Sequence, residues 1–380
     1  MGASTIPISY PVDGCEVLSD STEDGKDKHT FYKTFSGLLA IVYQYLEMTK
    51  AERVRDCNDW KAFERCVADL SHPKKCIAAC YCKDRLCATC QWKRSQRTFA
   101  TAMTVAKHAL EQNSNLRFLF LTLTVPNVQL DDLSNTLDRM MKAWKRLTER
   151  KEIKRVLVGY HRALEITRNC VDDTYHPHFH VAFCVPSSYF GEYYIKRDRW
   201  LKLWQESMRM AQITQVDIRT IKAKKGKDPL VCGFAEACKY GLKPWDYKNL
   251  DKGDKAKVRK AIKTKQIDFG LPGHIWIRDT LEETADVVYK LQEALYHRRL
   301  AQFGKLLADI KRELGVKDGD DEDANLNDEP TSAKVCPICG CDVRTKIAYW
   351  KREFSEKYGR YAHKGQFVFS GSTNSDELPY

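Results

Sequence analysis

The segment from His176 to Val185 reads HPHFHVAFCV, and it determines how the rest of the chain is interpreted. Its uncharged, mostly apolar composition predicts a buried β-strand. Successive side chains of a strand point to opposite faces, so His178 and His180 would share one face while Phe179 packs on the other. Two imidazoles on one face can converge on a single cation. Most histidines are not ligands, however, so ordinary core or surface histidines remain the alternative for this pair taken alone.

The flanking sequence predicts strands and helices on both sides of this segment. The turn-rich connection 168–175 is short, so the strand before it and the histidine strand should pair antiparallel. We therefore expect an α+β fold, in which an antiparallel sheet carries helices packed on one face. The other expected elements are strands at 118–125, 156–167 and 216–221, and helices at 36–50, 92–112, 130–150, 190–211, 234–243 and 285–315.

Glu165 lies near the end of the strand that precedes the histidines. Antiparallel pairing would bring its carboxylate beside His178 and His180. Two imidazoles and one carboxylate suit Mg²⁺ or Mn²⁺ and leave positions open for substrate oxygens. The alternative for Glu165 is a cross-strand charge partner.

A second group of reactive residues lies in FAEACKYGLK, residues 234–243. Glu236 and Tyr240 are four residues apart and would share a helix face, with Lys243 close to that face. A phenol has a pKa near ~10, so a neighbouring cation, Lys243 or Lys239, would favour the phenolate as a nucleophile. Glu236 would accept a proton or activate a water molecule. A tyrosine that simply anchors a helix is the alternative.

Three elements in this order, LFLTLTVPN (119–127), HPHFHV and EACKYGLK, resemble the three motifs of HUH endonucleases. The resemblance is greatest to the single-tyrosine plasmid rolling-circle replication initiators. It runs from about Val54 to Pro244 and includes RLCATCQWKRS (85–95). One departure is Ala88, where the family usually has proline, and this bears on a turn and not on catalysis.

The resemblance implies a site-specific, metal-dependent DNA nickase and strand transferase. His178 and His180 would hold the catalytic ion, Tyr240 would form a 5′-phosphotyrosyl intermediate and leave a 3′-hydroxyl primer, and Glu236 would activate the water that releases the enzyme. The implied partners are origin DNA, single-stranded or extruded at the nick site, and the host helicase and polymerase. Two alternatives are a conjugative relaxase or transposase of the same superfamily, and a non-catalytic, zinc-containing DNA-binding regulator.

Most of the fifteen cysteines are clustered, which in a cytosolic chain favours zinc binding over disulfides. Cys82, Cys87 and Cys90 have the spacing of a structural zinc site. On the resemblance, Cys57 is assigned as the fourth ligand, because RVRDC precedes the trio much as in the family; Cys66, Cys76 and Cys80 are competitors. Cys336 and Cys339 form a CPIC turn and predict a second zinc site, with Cys341 or His363 as candidate partners. Free buried thiols are the alternative.

The formal net charge is +12, and it rises to 12 + 7 = +19 without the seven acids between Asp318 and Glu329. A basic body favours a nucleic-acid partner, with ordinary solubility as the alternative. No apolar run approaches the length of a membrane span, and no signal peptide is recognisable, so we expect no membrane partner. These features predict a cytoplasmic protein, which the resemblance places in a prokaryote and on a plasmid.

We expect six segments along the chain. They are a mobile N-terminal tail (1–35), a helical and cysteine-rich zinc-binding region (36–112), an HUH endonuclease domain (113–250), a helical extension (251–316), an acidic linker (317–332) and a small cysteine- and aromatic-containing tail (333–380).

Overall fold

The computed structural model describes residues 17–19, 29–69, 71–72, 75–221, 229–238, 241–264, 267–319, 335–336, 338–355 and 360–372. Most of the expected mobile tail (1–35) and most of the acidic linker (317–332) lie outside these residues. The chain divides into two compact units. The cysteine unit comprises residues 1–90, 261–267 and 325–380, and the histidine unit comprises 91–260 and 268–324.

The described elements follow one another in chain order. They are β1 (Val17–Ser19), α1 (His29–Tyr45), α2 (Ala51–Arg55), β2 (Trp60–Cys66), β3 (Lys75–Ala79), α3 (Ala88–Gln112), β4 (Leu116–Thr124), α4 (Leu130–Glu149), α5 (Lys151–Val156), β5 (Gly159–Asn169), β6 (Thr174–Pro186), a 3-10 turn (Ser187–Phe190), α6 (Arg197–Met208), β7 (Val216–Thr220), α7 (Pro229–Ala237), α8 (Lys252–Thr264), α9 (Leu281–Leu295), β8 (Ala301–Lys305), α10 (Leu306–Glu313), β9 (Val343–Ser355) and β10 (Arg360–Ser372).

The histidine unit is built on a five-stranded antiparallel sheet with the order β7-β4-β6-β5-β8. The hairpin of β5 and β6 forms as expected, and its register places Glu165 opposite His178 and Ala163 opposite His180. On the other side of β6, Thr122 of β4 lies opposite His180. The three candidate ligands therefore lie on adjacent strands at the centre of the sheet.

Helices cover both faces of this sheet, so the expectation of helices on one face is wrong. On one face, Phe179 contacts Trp144 of α4 and Trp204 of α6. On the other face, residues of α3, α7 and α10 share one apolar cluster with Ala182 and Cys184 of β6. The physical reason is that the side chains on both faces of β6 are buried. A continuous apolar run such as AFCV (182–185) is typical of a strand covered on both faces.

The expected single helix over 285–315 is also wrong. Helix α9 begins at a capping box, in which Thr280 and Glu283 bind each other's backbone N–H groups. Strand β8 then pairs with β5 at the sheet edge before α10 begins. Gly304 permits this pairing, since a side chain there would collide with the ring of Tyr160.

Two expectations for the C-terminal part of the chain need correction. Asp318, assigned to a solvated linker, is buried, and its carboxylate lies 2.7 Å from the Lys311 ammonium. The small tail expected at 333–380 instead contributes β9 and β10 to the sheet of the cysteine unit. That sheet is antiparallel and has the order β1-β10-β9-β2-β3, so the tail and the cysteine-rich region share one structure. No helix in the described part of the chain combines the length and apolar character needed to cross a membrane.

Candidate active site and cysteine clusters

Glu165, His178 and His180 converge on one face of the central strands. The Oε2 atom of Glu165 lies 2.7 Å from Nε2 of His178 and 2.8 Å from Nε2 of His180, and the two Nε2 atoms are 3.1 Å apart. Adjacent ligands of an octahedral ion with bonds of about 2.1 Å are about 3.0 Å apart. The spacing of the three atoms therefore fits neighbouring ligand positions around one divalent ion.

Hydrogen bonds on the outer side of the imidazoles orient them towards this point. Nδ1 of His178 donates to the carbonyl oxygen of His176 (3.3 Å), which leaves the Nε2 lone pair facing the Glu165 carboxylate. Nδ1 of His180 lies 3.3 Å from the Thr122 hydroxyl. A carboxylate oxygen 2.7 Å from an imidazole nitrogen needs a proton or a metal ion between the two atoms, so the three side chains can hold a cation.

The electrostatics of Glu165 support its ionised form. Burial by itself would raise the pKa of this carboxyl group, but contacts with His178 and His180 outweigh burial and hold the pKa well below its ordinary value. A carboxylate that stays ionised is the form that binds a divalent cation. His176 lies on the same strand face but points away, with Nδ1 2.9 Å from the Asn127 side-chain oxygen.

Helix α7 packs on the face of the sheet that carries the candidate ligands. Its Phe234 ring contacts Phe118 of β4 edge-on, with ring centroids 5.3 Å apart, and lies against His161 of β5. Helix α7 spans Pro229–Ala237, so it lies nearer the N-terminus than the expected helix at 234–243. Glu236 belongs to α7, but its side chain is outside the described part of the structure.

Tyr240 lies outside the described residues, whereas Gly241 and Lys243 after it are described. The amide of Ile166 donates to the carbonyl of Gly241 (2.9 Å), and the amide of Lys243 donates to the carbonyl of Ile166 (3.0 Å). Ile166 directly follows the candidate ligand Glu165 in β5. The Lys243 side chain is exposed.

Cys57, Cys82, Cys87 and Cys90 bring their four sulfur atoms within 4.8 Å of one another. The Cys57–Cys90 and Cys82–Cys90 sulfur distances are 3.5 Å, and the Cys57–Cys87 distance is 3.7 Å. Thiolates of a tetrahedral zinc ion with bonds of about 2.3 Å are about 3.8 Å apart, so the set fits that ion. Burial raises the pKa of the Cys57 and Cys90 thiols well above the ordinary value, and a bound cation would offset that cost.

The competitors for the fourth position of this cluster lie elsewhere. The sulfur of Cys80 accepts the backbone N–H groups of Asp59 (3.1 Å) and Trp60 (3.4 Å). Cys76 lies in β3 with its sulfur 3.5 Å from the Ala78 carbonyl oxygen. Cys66 belongs to a different group of metal-binding side chains.

Among the described residues, Cys336 and Cys339 come together with Cys66 and His72, whereas the expected partner Cys341 is not part of this group. Cys341 is exposed, with its sulfur near the Cys339 carbonyl oxygen (3.8 Å), and the His363 side chain is outside the described residues. Cys66 and His72 were missed because a ligand pair separated from its partners by more than 250 residues has no local signature. The sequence offered one signal: the N-terminal region has more cysteines than the first cluster needs, so one of them, Cys66, was free to bind elsewhere.

Comparison with known proteins identifies the family. A family model described as "Replication protein" matches residues 74–339. The chain is 30% identical to "Protein rep" of Streptococcus pneumoniae serotype 2 (strain D39 / NCTC 7466), over 80% of this chain and 86% of that protein. It is 31% identical to "Protein rep" of Bacillus amyloliquefaciens, over 81% of this chain and 88% of that protein. No solved structure matches the chain significantly. The chain therefore belongs to the replication-protein family of the plasmid rolling-circle initiators.

Proposed function

We propose that this plasmid replication initiator nicks one DNA strand at its origin and holds the cut end covalently on Tyr240. The observation that carries the proposal is the convergence of Glu165, His178 and His180 on the sheet face against which α7 packs. The residues after Tyr240 are hydrogen-bonded to β5 beside Glu165. Groups mounted on a sheet are held rigidly enough for a defined reaction geometry.

Glu165, His178 and His180 would hold the catalytic ion, Mg²⁺ or Mn²⁺. The bound ion would neutralise charge on the phosphate oxygens at the cleaved bond. The contribution of the protein is orientation: strand pairing fixes the spacing of the three groups, and the contacts of both Nδ1 atoms fix the imidazole rings.

Tyr240 would supply the nucleophile. Its phenolic oxygen, favoured as the phenolate by the cation of Lys243 or Lys239, attacks phosphorus. A bond forms between this oxygen and phosphorus, and the bond from phosphorus to the 3′-oxygen of the preceding nucleotide breaks. That oxygen takes up a proton and becomes the 3′-hydroxyl from which a host polymerase extends. The phosphodiester is exchanged and not hydrolysed, so the strand can later be rejoined without ATP.

Glu236 would act at the end of the cycle. In one form of the proposal its carboxylate activates a water molecule, which hydrolyses the terminating phosphodiester and frees the enzyme. In the other form, Glu236 only orients Tyr240. The two forms differ in whether the first cut depends on the carboxylate.

The cysteine cluster would have a structural role. Zinc held by Cys57, Cys82, Cys87 and Cys90 would be fully coordinated by protein, which leaves no position for a substrate. DNA is the expected macromolecular partner, since the chain carries a net charge of +12. A host helicase would open the duplex ahead of the polymerase.

The test is incubation with supercoiled plasmid that carries the candidate origin. We expect open-circular product with Mg²⁺ or Mn²⁺, and none after chelation with EDTA. The matched substrate is the same plasmid with the origin sequence scrambled, which should remain supercoiled. Binding to the origin without any nicking in either metal would contradict the proposal and favour the non-catalytic regulator.

A further inference from the structure

We propose that Cys66, His72, Cys336 and Cys339 bind a second zinc ion, which clamps the N-terminal and C-terminal segments of the cysteine unit together. The four ligand atoms lie within 4.8 Å of one another. The sulfurs of Cys66 and Cys339 are 3.5 Å apart, and the sulfur of Cys336 is 3.4 Å from Nδ1 of His72. Three thiols and one imidazole are a common donor set of structural zinc.

The Cys336–Cys339 turn has the backbone of a metal-binding knuckle. The backbone N–H groups of Cys339 and Ile338 interact with the Cys336 sulfur. The amide of Gly340 donates to the Cys336 carbonyl (2.9 Å). Gly340 has a φ of +69°, a conformation that favours glycine, and it directs the chain back towards β9.

His72 is oriented by a carboxylate on its far side. Its Nε2 atom lies 3.5 Å from the carboxylate of Asp69, whose other oxygen accepts the Ser71 amide (2.8 Å). A proton on Nε2 facing Asp69 leaves the Nδ1 lone pair directed at the cysteines. A carboxylate behind the metal-binding imidazole is the usual way in which proteins orient a zinc-bound histidine.

The position of the four residues explains what the ion would do. Cys66 is the last residue of β2 and pairs with Val343, the first residue of β9. Just beyond this pair, the Val67 amide donates to the Asp342 carbonyl (3.0 Å). The ion would therefore close the end of the β2–β9 ladder. It would also restrict a loop of about 264 residues in the unfolded chain, and closing long loops gives the largest entropic stabilisation.

The experiment is zinc analysis of the full-length protein after exhaustive dialysis. We expect about two zinc ions per chain in the wild type and about one in Cys339→Ser. Cys339 is exposed, so serine there removes a ligand without disturbing a packed core. The matched control is Cys341→Ser, because Cys341 is exposed and lies two residues away but outside the group; this variant should keep two ions. One zinc ion in the wild type, or two in Cys339→Ser, would overturn the proposal.

Two further variants separate ligation from general damage. His72→Cys keeps a zinc-binding group, so it should retain about two ions and shift the visible spectrum of the cobalt-substituted protein towards that of four thiolates. Asp69→Asn should weaken binding of one ion roughly 10- to 100-fold in a competition with chelator, while excess zinc still fills both sites. Unchanged cobalt spectra in His72→Cys, or unchanged affinity in Asp69→Asn, would count against this ligand set.

Discussion

The Glu165–His178–His180 group and the Cys57–Cys82–Cys87–Cys90 cluster are built in opposite ways. The first is carried by paired strands, whose register already places Glu165 opposite His178. The second gathers residues from a turn, an extended segment and the start of α3. Backbone hydrogen bonds hold the first group together without an ion. The second would depend on a bound ion to fix its segments, so we expect metal removal to have different consequences at the two places.

Exposure separates the two groups as well. The four cysteines are at most 2% exposed, whereas Glu165, His178 and His180 are 7–9% exposed. Four protein ligands saturate a tetrahedral ion, while three leave positions free on a divalent ion with six. Under the proposed function, the cysteine cluster would serve folding, and the Glu165–His178–His180 group would serve chemistry.

The largest effect is expected when the cysteine cluster is broken. Cys90→Ser should lose its zinc ion and at least about 5 kcal/mol of folding free energy, because structural zinc contributes its binding energy to folding. Zinc analysis and thermal unfolding measure this. The control, Cys170→Ser, removes a thiol outside all three ligand groups and should keep the wild-type zinc content. If purified wild-type protein contains no zinc, this half of the comparison fails.

The second-largest effect is expected at the Glu165–His178–His180 group. His178→Ala combined with His180→Ala should lower nicking roughly 10³-fold, or about 4 kcal/mol, because the metal no longer binds. The fold should persist, since all strand hydrogen bonds are kept and Glu165 can take up a proton. Gel assays of nicking and circular dichroism check both points. His176→Ala is the matched control, and its nicking rate should fall less than about tenfold. Unimpaired cleavage by the double variant would remove the metal assignment.

Glu165→Gln should have a smaller effect. The amide keeps the shape of the side chain but carries no charge, so the Mn²⁺ concentration for half-maximal nicking should rise at least roughly tenfold. Saturating metal should restore much of the rate. Glu152→Gln, an exposed acid on α5, is the control and should leave the metal requirement unchanged. An unchanged metal requirement in Glu165→Gln would show that the carboxylate is only a cross-strand partner.

The smallest effect concerns His161, which shares the sheet face but lies among Phe234 and Phe303. Burial, with Arg162 and Lys311 nearby, lowers its pKa from 6.5 to about 3. The unfolded chain therefore takes up the proton first, and folding free energy is lost as the pH falls below about 6.5. Between pH 7 and 5.5, the folding free energy of His161→Phe, measured by urea unfolding, should fall by about 1 kcal/mol less than that of the wild type. Equal losses in the two proteins would mean that His161 is not buried in its neutral form.

Local patterns in the sequence predicted much of the histidine unit. The β5–β6 hairpin and helix α4 follow from short-range apolar periodicity and from a short turn, and pairing of Glu165 with the histidines follows from the hairpin register. The resemblance to the family singled out Cys57 among several cysteines, and the structure brings it to Cys82, Cys87 and Cys90.

The features that the sequence did not predict correctly depend on contacts between distant residues. The sequence predicts a helix through strand β8, because only the pairing of this strand with β5 makes Ala301–Lys305 extended. The second helical face of the sheet was missed because the two-sided burial of β6 was visible only as an apolar run. Cys66 and His72 join Cys336 across more than 250 residues, a proximity that no spacing rule reveals.

The most direct test of the proposed function is the covalent adduct on Tyr240. Tyr240→Phe keeps the ring and removes only the nucleophilic oxygen. With an oligonucleotide that contains the nick site, this variant should form no 5′-linked protein–DNA adduct on a denaturing gel, while it still binds DNA. Tyr247→Phe, a half-exposed neighbour in sequence, is the matched control and should form the adduct normally.

The same gel also separates the two roles of Glu236. If this residue activates water, Glu236→Ala should form the adduct at the wild-type rate and release the strand slowly. If it only orients Tyr240, both steps should slow together. We expect no adduct with Tyr240→Phe under any metal condition, and normal adduct formation by that variant would contradict the proposed role of Tyr240.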